Sequence, residues 1–230
     1  MVVSVSRQTV YYDADKRVVW VTLQGEHKVS VLAGPLIGSV ESPQLFGAID
    51  TRERPYGVLI GGKFAFVSAQ QAGRVQVFDK YNYTLLAEVE VAGSPRGMTL
   101  SDNERWPYVS HYESGVISKI ETNTFTVVTE ISLGSRAGLA QSITLDEAAQ
   151  LAYVPNTIRN TDNTSLEFDT SVFPFVSIID LQRGIHLRSQ RLALDIIDKP
   201  VGLPLESLLS GENLYVVNAA SNDITVIDVA

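Results

Sequence analysis

Apolar and polar residues alternate with a period of two in short runs along most of this chain, and the runs come in pairs. Lys28-Val29-Ser30-Val31-Leu32, Arg74-Val75-Gln76-Val77-Phe78-Asp79, residues 115–121, residues 175–180 and Asp223–Asp228 each follow, across a polar turn, a run led by an aromatic residue. A period of two turns one face of a strand to a core and the other to solvent. With Val, Ile and aromatic enrichment, and Gly, Asn, Asp and Ser between the runs, it predicts β-hairpins rather than helices. The aromatic run itself recurs, as Trp20-Val21-Thr22, Phe66-Val67-Ser68, Tyr108-Val109-Ser110, Tyr153-Val154-Pro155 and Tyr215-Val216-Val217, with spacings of 46, 42, 45 and 62 residues. Upstream of most hairpins lies a lead-in punctuated by Pro or Gly: Arg54-Pro55-Tyr56-Gly57, Ser94-Pro95-Arg96-Gly97, Arg136-Ala137-Gly138 and Lys199-Pro200-Val201-Gly202. Pro fixes φ there and Gly admits close backbone approach.

Four strands can be read per unit, for example 96–100, 106–111, Val116–Glu121 and 125–132. Four-stranded units repeating at this length predict the blades of an all-β propeller. The units run approximately over 1–50, 51–92, 93–134, 135–196 and 197–230, a single propeller domain or a piece of one, with the last unit lacking its outer strand. The short helix candidate at 146–151 reads as a tight turn.

The fifth unit carries Leu214-Tyr215-Val216-Val217-Asn218, then Ala219-Ala220-Ser221-Asn222-Asp223, then Ile224-Thr225-Val226-Ile227-Asp228. These residues resemble the blade of the YVTN-repeat β-propellers: P-x-G-hydrophobic, a Ser-Pro-Asp-Gly-like turn, Tyr-Val-Thr-Asn, a Ser/Asn turn and Val-Ser-Val-Ile-Asp. The resemblance covers almost the whole chain, although the first unit is degenerate and turns such as Gly61-Gly62-Lys63 and Ser101-Asp102-Asn103 only approximate the pattern. It implies a surface, periplasmic or secreted protein of the seven-bladed type. Five units would leave sheet edges and blade faces open, which natural proteins avoid, so further sequence or another chain is expected to complete the ring.

Composition narrows the function classes. The 18 basic and 26 acidic residues give a formal charge of −8, which opposes binding to a phosphate backbone, and nucleic acid is not expected as a partner. Cysteine is absent, so thiol nucleophiles, thiolate zinc sites and Cys-x-x-Cys-His haem attachment have no residues here. No apolar run approaches the roughly 18 residues of a membrane span.

Candidate chemistry gathers where the repeat is broken or decorated. The long fourth spacing comes from an insertion over about 156–174, between the second and third strands of its unit. In a propeller this connection shares a face with the lead-in loops, and a loop of that length is usually functional or disordered. Its Asp162, Asn163, Glu167 and Asp169 are hard oxygen ligands suited to calcium, without EF-hand spacing; ordinary Asx and Thr turns are the competing reading. Arg54, Arg96, Arg136 and Lys199 flank the lead-ins and would crowd one mouth of a closed ring, where an anionic ligand would find them; as turn residues reaching solvent or a neighbouring carboxylate they need no ligand. His27 and His111 are placed in equivalent turns on the same face, and His111 joins the channel-mouth candidates. His186 completes the three histidines, none in a tight metal-binding spacing. Asp79, Glu121, Asp180 and Asp228 recur at strand ends and read as turn scaffold.

No nucleophile elbow, P-loop or dinucleotide fingerprint is present. The leading expectation is a non-catalytic extracytoplasmic binding module, holding a protein partner or small anionic ligand on its loop face. Two alternatives follow from the resemblance: an accessory propeller of a cytochrome- or quinoprotein-type enzyme, and a propeller lyase or lactonase drawing on His111, Glu113 and Arg96.

Overall fold

The structure, a computed structural model, describes residues 7–33, 44–160, 171–195 and 201–230. The alternating runs become antiparallel strands that pair in sequence order, and the chain divides into two compact units, Met1–Pro95 and Arg96–Ala230.

The first unit holds two four-stranded sheets. Sheet I is β1 (Arg7–Asp13), β2 (Val18–Leu23), β3 (Lys28–Ala33) and β4 (Gln44–Asp50). Sheet II is β5 (Pro55–Ile60), β6 (Phe64–Ala69), β7 (Arg74–Asp79) and β8 (Leu85–Glu90). Trp20, Val29 and Val31 of sheet I pack with Val58, Ile60, Ala65 and Val67 of sheet II in one dry cluster. At roughly 1.5–3 kcal/mol per fully buried large side chain, such clusters supply most of the favourable free energy of an all-β fold. Lys80, 1% exposed, joins the same two sheets: its Nζ lies 2.9 Å from Asp15 Oδ2 and 3.7 Å from Asp13 Oδ1. Burial alone would lower its pKa, but the hydrogen bond to Asp15 and the charge of Asp13 prevail and raise it.

The second unit holds sheets III, IV and V. Sheet III is β9 (Pro95–Leu100), β10 (Pro107–His111), β11 (Val116–Glu121) and β12 (Thr126–Ser132), within a residue or two of the strands expected from the pattern. Sheet IV comprises β13 (Ala137–Gly138), β14 (Thr144–Asp146), β15 (Leu151–Arg159), β16 (Val172–Asp180), β17 (Ile185–His186) and β18 (Leu192–Ala193). Sheet V has three described strands, β19 (Pro204–Ser210), β20 (Asn213–Asn218) and β21 (Asp223–Asp228).

The turns follow from the residues at their corners. Asp79 Oδ1 accepts the N–H groups of Tyr81 and Asn82, Asp180 Oδ1 that of Arg183, and Asp228 Oδ1 that of Ala230. Glu121 instead forms an ion pair with Arg105 at 3.1 Å. Three of the four recurring strand-end acids, Asp79, Asp180 and Asp228, thus organise their own turns. In the second strand, the hydroxyl after the aromatic-Val pair binds first-strand backbone: Thr22 Oγ1 accepts the Thr9 N–H, Ser68 Oγ accepts the Gly57 N–H, and Ser110 Oγ donates to the Gly97 carbonyl. In sheets I and II these bonds fall where the first strand slips register, between Arg7 and Val10 and between Pro55 and Val58.

Two expectations are corrected, and one further irregularity is found. The fifth lead-in was placed at Lys199-Pro200-Val201-Gly202, but β19 begins at Pro204. There Leu203 takes φ 53° and its carbonyl accepts the Ala219 N–H, as Arg54 with φ 56° accepts from Gln70 before Pro55. The 156–174 insertion does not begin as a loop: β15 and β16 stay paired out to Arg159 and Val172, so its two flanks form a β-ribbon. The innermost strand of sheet IV is not continuous either, because β13 and β14 pair with opposite ends of β15 and 139–143 run between them.

Candidate functional site

The third residue after the repeat's aromatic bonds the third strand across the hairpin, seven positions later in sheets III and V, and the structure shows what that position does. His111, fully buried, shares a 2.8 Å hydrogen bond between Nε2 and Ser118 Oγ. At the same place in sheet IV, Asn156 Oδ1 accepts from Ser177 Oγ at 2.8 Å; in sheet V, Asn218 Nδ2 donates to Thr225 Oγ1 at 2.9 Å. His111 therefore stands where sheets IV and V carry Asn and sheets I and II carry Leu23 and Ala69, in the polar bond that closes β10 onto β11. Glu113 is exposed on the adjoining turn.

His27 and His111 are not equivalent. His27 occupies the last position of its turn, at φ 55°, a left-handed site filled by Gly73, Gly115 and Asn222 in sheets II, III and V. Its Nδ1 accepts the Arg54 N–H at 3.1 Å, so the imidazole tethers the lead-in of sheet II. The Arg54 side chain is exposed. His186 is half-buried with neither ring nitrogen hydrogen-bonded, and burial, with Arg188 and Arg191 near it, lowers its pKa.

In the second unit, two of the expected cations lie on a loop face built from the lead-ins and second-to-third-strand turns. The Arg96 guanidinium lies 3.3 Å from the Tyr112 ring centroid, and its Nη1 donates to Gln141 Oε1 at 2.6 Å. Stacking on the ring and an amide oxygen hold the side chain in one place while leaving it cationic. The Tyr112 carbonyl in turn accepts the Leu139 N–H at 2.6 Å, docking the sheet III turn on the sheet IV lead-in. Close approach there depends on glycine. A Cβ on Gly97 would come within 1.9 Å of the Gln141 carbonyl oxygen, and one on Gly115, at φ 58°, within 2.4 Å of the Ala137 carbonyl oxygen. Arg136 is exposed, with Nη1 3.4 Å from Asn160 Oδ1, and its carbonyl accepts the Arg159 N–H. Arg159 brings a further cation to this face, its Nη2 3.1 Å from the Cβ that Gly138 lacks.

Tyr112, Gln141, Arg159 and Asn160 were not singled out from the sequence. Tyr112 and Arg159 adjoin marked positions, but no period or spacing distinguishes Gln141, which arrives through the interrupted strand. Lys199 and the calcium candidates Asp162, Asn163, Glu167 and Asp169 lie outside the described residues. Among the described residues no cluster of three or more His, Cys, Asp or Glu is placed to hold a metal ion, and no helix is long and apolar enough to cross a membrane.

Antiparallel meanders of four strands, repeated and stacked through apolar faces, define a β-propeller. Solved structures agree. The chain is similar to hydrazine synthase of Kuenenia stuttgartiensis, with TM-score 0.62 and 15% identity over 100% of this chain and 80% of that one. It is similar to the dihydro-heme d1 dehydrogenase NirN, solved in complex with DHE, with TM-score 0.62 and 15% identity over 96% of this chain and 47% of that one. A nidogen/laminin complex matches with TM-score 0.64 and 15% identity over 97% of this chain and 76% of that one. At such identity the likeness is one of fold. No family model matches the sequence, and no curated protein does.

Proposed function

We propose that this chain is a non-catalytic, extracytoplasmic binding propeller of the YVTN-repeat type, which holds a protein partner or small anionic ligand on the loop face of its second unit. The observation that carries the reading is the ribbon of β15 and β16. Sheets II, III and V turn directly after Ala69, His111 and Asn218, whereas sheet IV continues three residue pairs beyond Asn156 and Phe175, to Arg159 and Val172. At its far end stand Arg159 and Asn160, with Arg136 bonded beside them, and across the docked lead-in stands the stacked Arg96. A ribbon on a rigid sheet presents a binding loop at low entropic cost, because its base is already ordered. The burial of His111 against Ser118 favours binding over the lyase or lactonase reading.

Replacing 160–171 by an Asn-Gly turn should abolish partner capture from the native extracytoplasmic fraction, while the thermal midpoint stays nearly unchanged. Undiminished capture would overturn the reading. A second reading, an accessory propeller of a redox enzyme, draws on the hydrazine synthase and dehydrogenase among the structural neighbours. The complete gene separates the two, since an adjoining Cys-x-x-Cys-His segment would favour the second.

A further inference from the structure

At the other end of sheets III and IV from the loop face, the first-to-second-strand loops and the adjoining strands line an open pocket of about 140 Å³. A cavity of about 150 Å³ takes a molecule of roughly six heavy atoms. The walls carry opposite charges. On one side is Lys119, whose ammonium lies 4.2 Å from the Trp106 ring centroid and 5.5 Å from that of Tyr108. Among the described residues that ammonium has ring faces but no hydrogen-bonded oxygen as a partner. Burial and the neighbouring Arg105 work against its charge, lowering its pKa, as expected of a cation short of acceptors. On another side is Glu147, half-buried, anchored through Oε1 by the Asp102 N–H and through its carbonyl by Gln150 Nε2. Tyr108 is 4% exposed, and burial together with the charge of Glu147 pushes its pKa up to about 12, so it stays a phenol and a donor. Ser101 and Asn103 complete the polar lining.

A simple anion in this pocket would meet Glu147, and a simple cation would meet Lys119 with Arg105 behind it. A small molecule bearing both charges satisfies both walls. We propose that this pocket binds a free small α-amino acid, with its carboxylate on Lys119, its ammonium on Glu147 and its side chain toward Leu145 and Leu181, since the Trp106 ring already carries Lys119 and Arg105.

The test uses L-alanine against the intact chain. Trp106 fluorescence reports binding, because the second tryptophan, Trp20, is fully buried in the other unit; saturation-transfer NMR on the amino acid gives an independent signal. Propionate, which lacks the ammonium, and ethylamine, which lacks the carboxylate, should each bind about tenfold more weakly, the loss of one charge-assisted hydrogen bond. Lys119→Met and Glu147→Gln should weaken L-alanine by a similar factor with unchanged near-UV circular dichroism. The analogue series needs no variant, so a misfolded substitution does not blunt it. Absence of any signal, propionate or ethylamine binding as well as alanine, or full affinity in both variants would each overturn the proposal.

Discussion

At the scale of single residues, His111 shows how one position carries a structural duty under different chemistry. A buried imidazole beside a polar turn invites a ligand or acid–base role, yet in sheet III it makes the same inter-strand bond that Asn156 and Asn218 make in sheets IV and V. His111→Asn should therefore keep stability within about 0.5 kcal/mol of the parent, whereas His111→Ala leaves the buried Ser118 hydroxyl without its partner and should cost about 1–3 kcal/mol. Urea denaturation measures both, and equal losses would show that the ring, not the bond, matters there. The turn position before the third strand gives a second case: His27 takes the left-handed conformation that glycine or Asn takes elsewhere, and its Nδ1 bond to the Arg54 amide accompanies the substitution.

Between elements, packing is decided by backbone proximity more than by side-chain size. Strand β9 passes so close to the Gln141 backbone that nothing larger than hydrogen fits on the Gly97 Cα, whereas around Gly93, one turn earlier, a Cβ would meet no atom within 4 Å. Gly97→Ala should destabilise the fold by about 2 kcal/mol or more through forced displacement of the Gln141 segment, while Gly93→Ala should stay within about 0.5 kcal/mol. Calorimetry on the pair isolates the contact, and a neutral Gly97→Ala would show that β9 and the Gln141 segment separate freely. The same displacement would disturb the Arg96–Gln141 bond, so loop-face binding should weaken along with stability.

Over the whole molecule, the apolar faces show which way the sheets stack. Trp20 packs toward sheet II, Tyr108 toward sheet IV and Tyr153 toward sheet V. Tyr215 holds the same place in sheet V and is 37% exposed, within rows formed by Leu208–Tyr215–Val226 and Val217–Ile224, all of them exposed. Such a face is what another sheet of the same kind would cover. We expect the 230-residue chain to self-associate with rising concentration in sedimentation velocity, and Leu208→Lys with Ile224→Thr to suppress this while changing stability by less than about 1 kcal/mol. A monomer at every concentration would count against a second copy covering this face.

Strand positions were legible in the sequence because a period-two pattern and an aromatic repeat act locally: residues 74–79, 116–121 and 223–228 form the strands their alternation predicts. The capping acids were legible for the same reason, since Asp79 and Asp180 bind amides only a few residues away. What lay beyond that range was not. The start of β19 at Pro204 rather than near Pro200, the pairing of Arg159 with Val172, the split of β13 from β14 and the burial of His111 each depend on which backbone runs alongside. Composition and period, by themselves, determined the all-β class and the four-stranded antiparallel unit. Only the tertiary structure decided which polar residues close the sheets and which line a surface, because a hydrogen bond across a blade and one offered to a ligand use the same residue types and differ in burial alone.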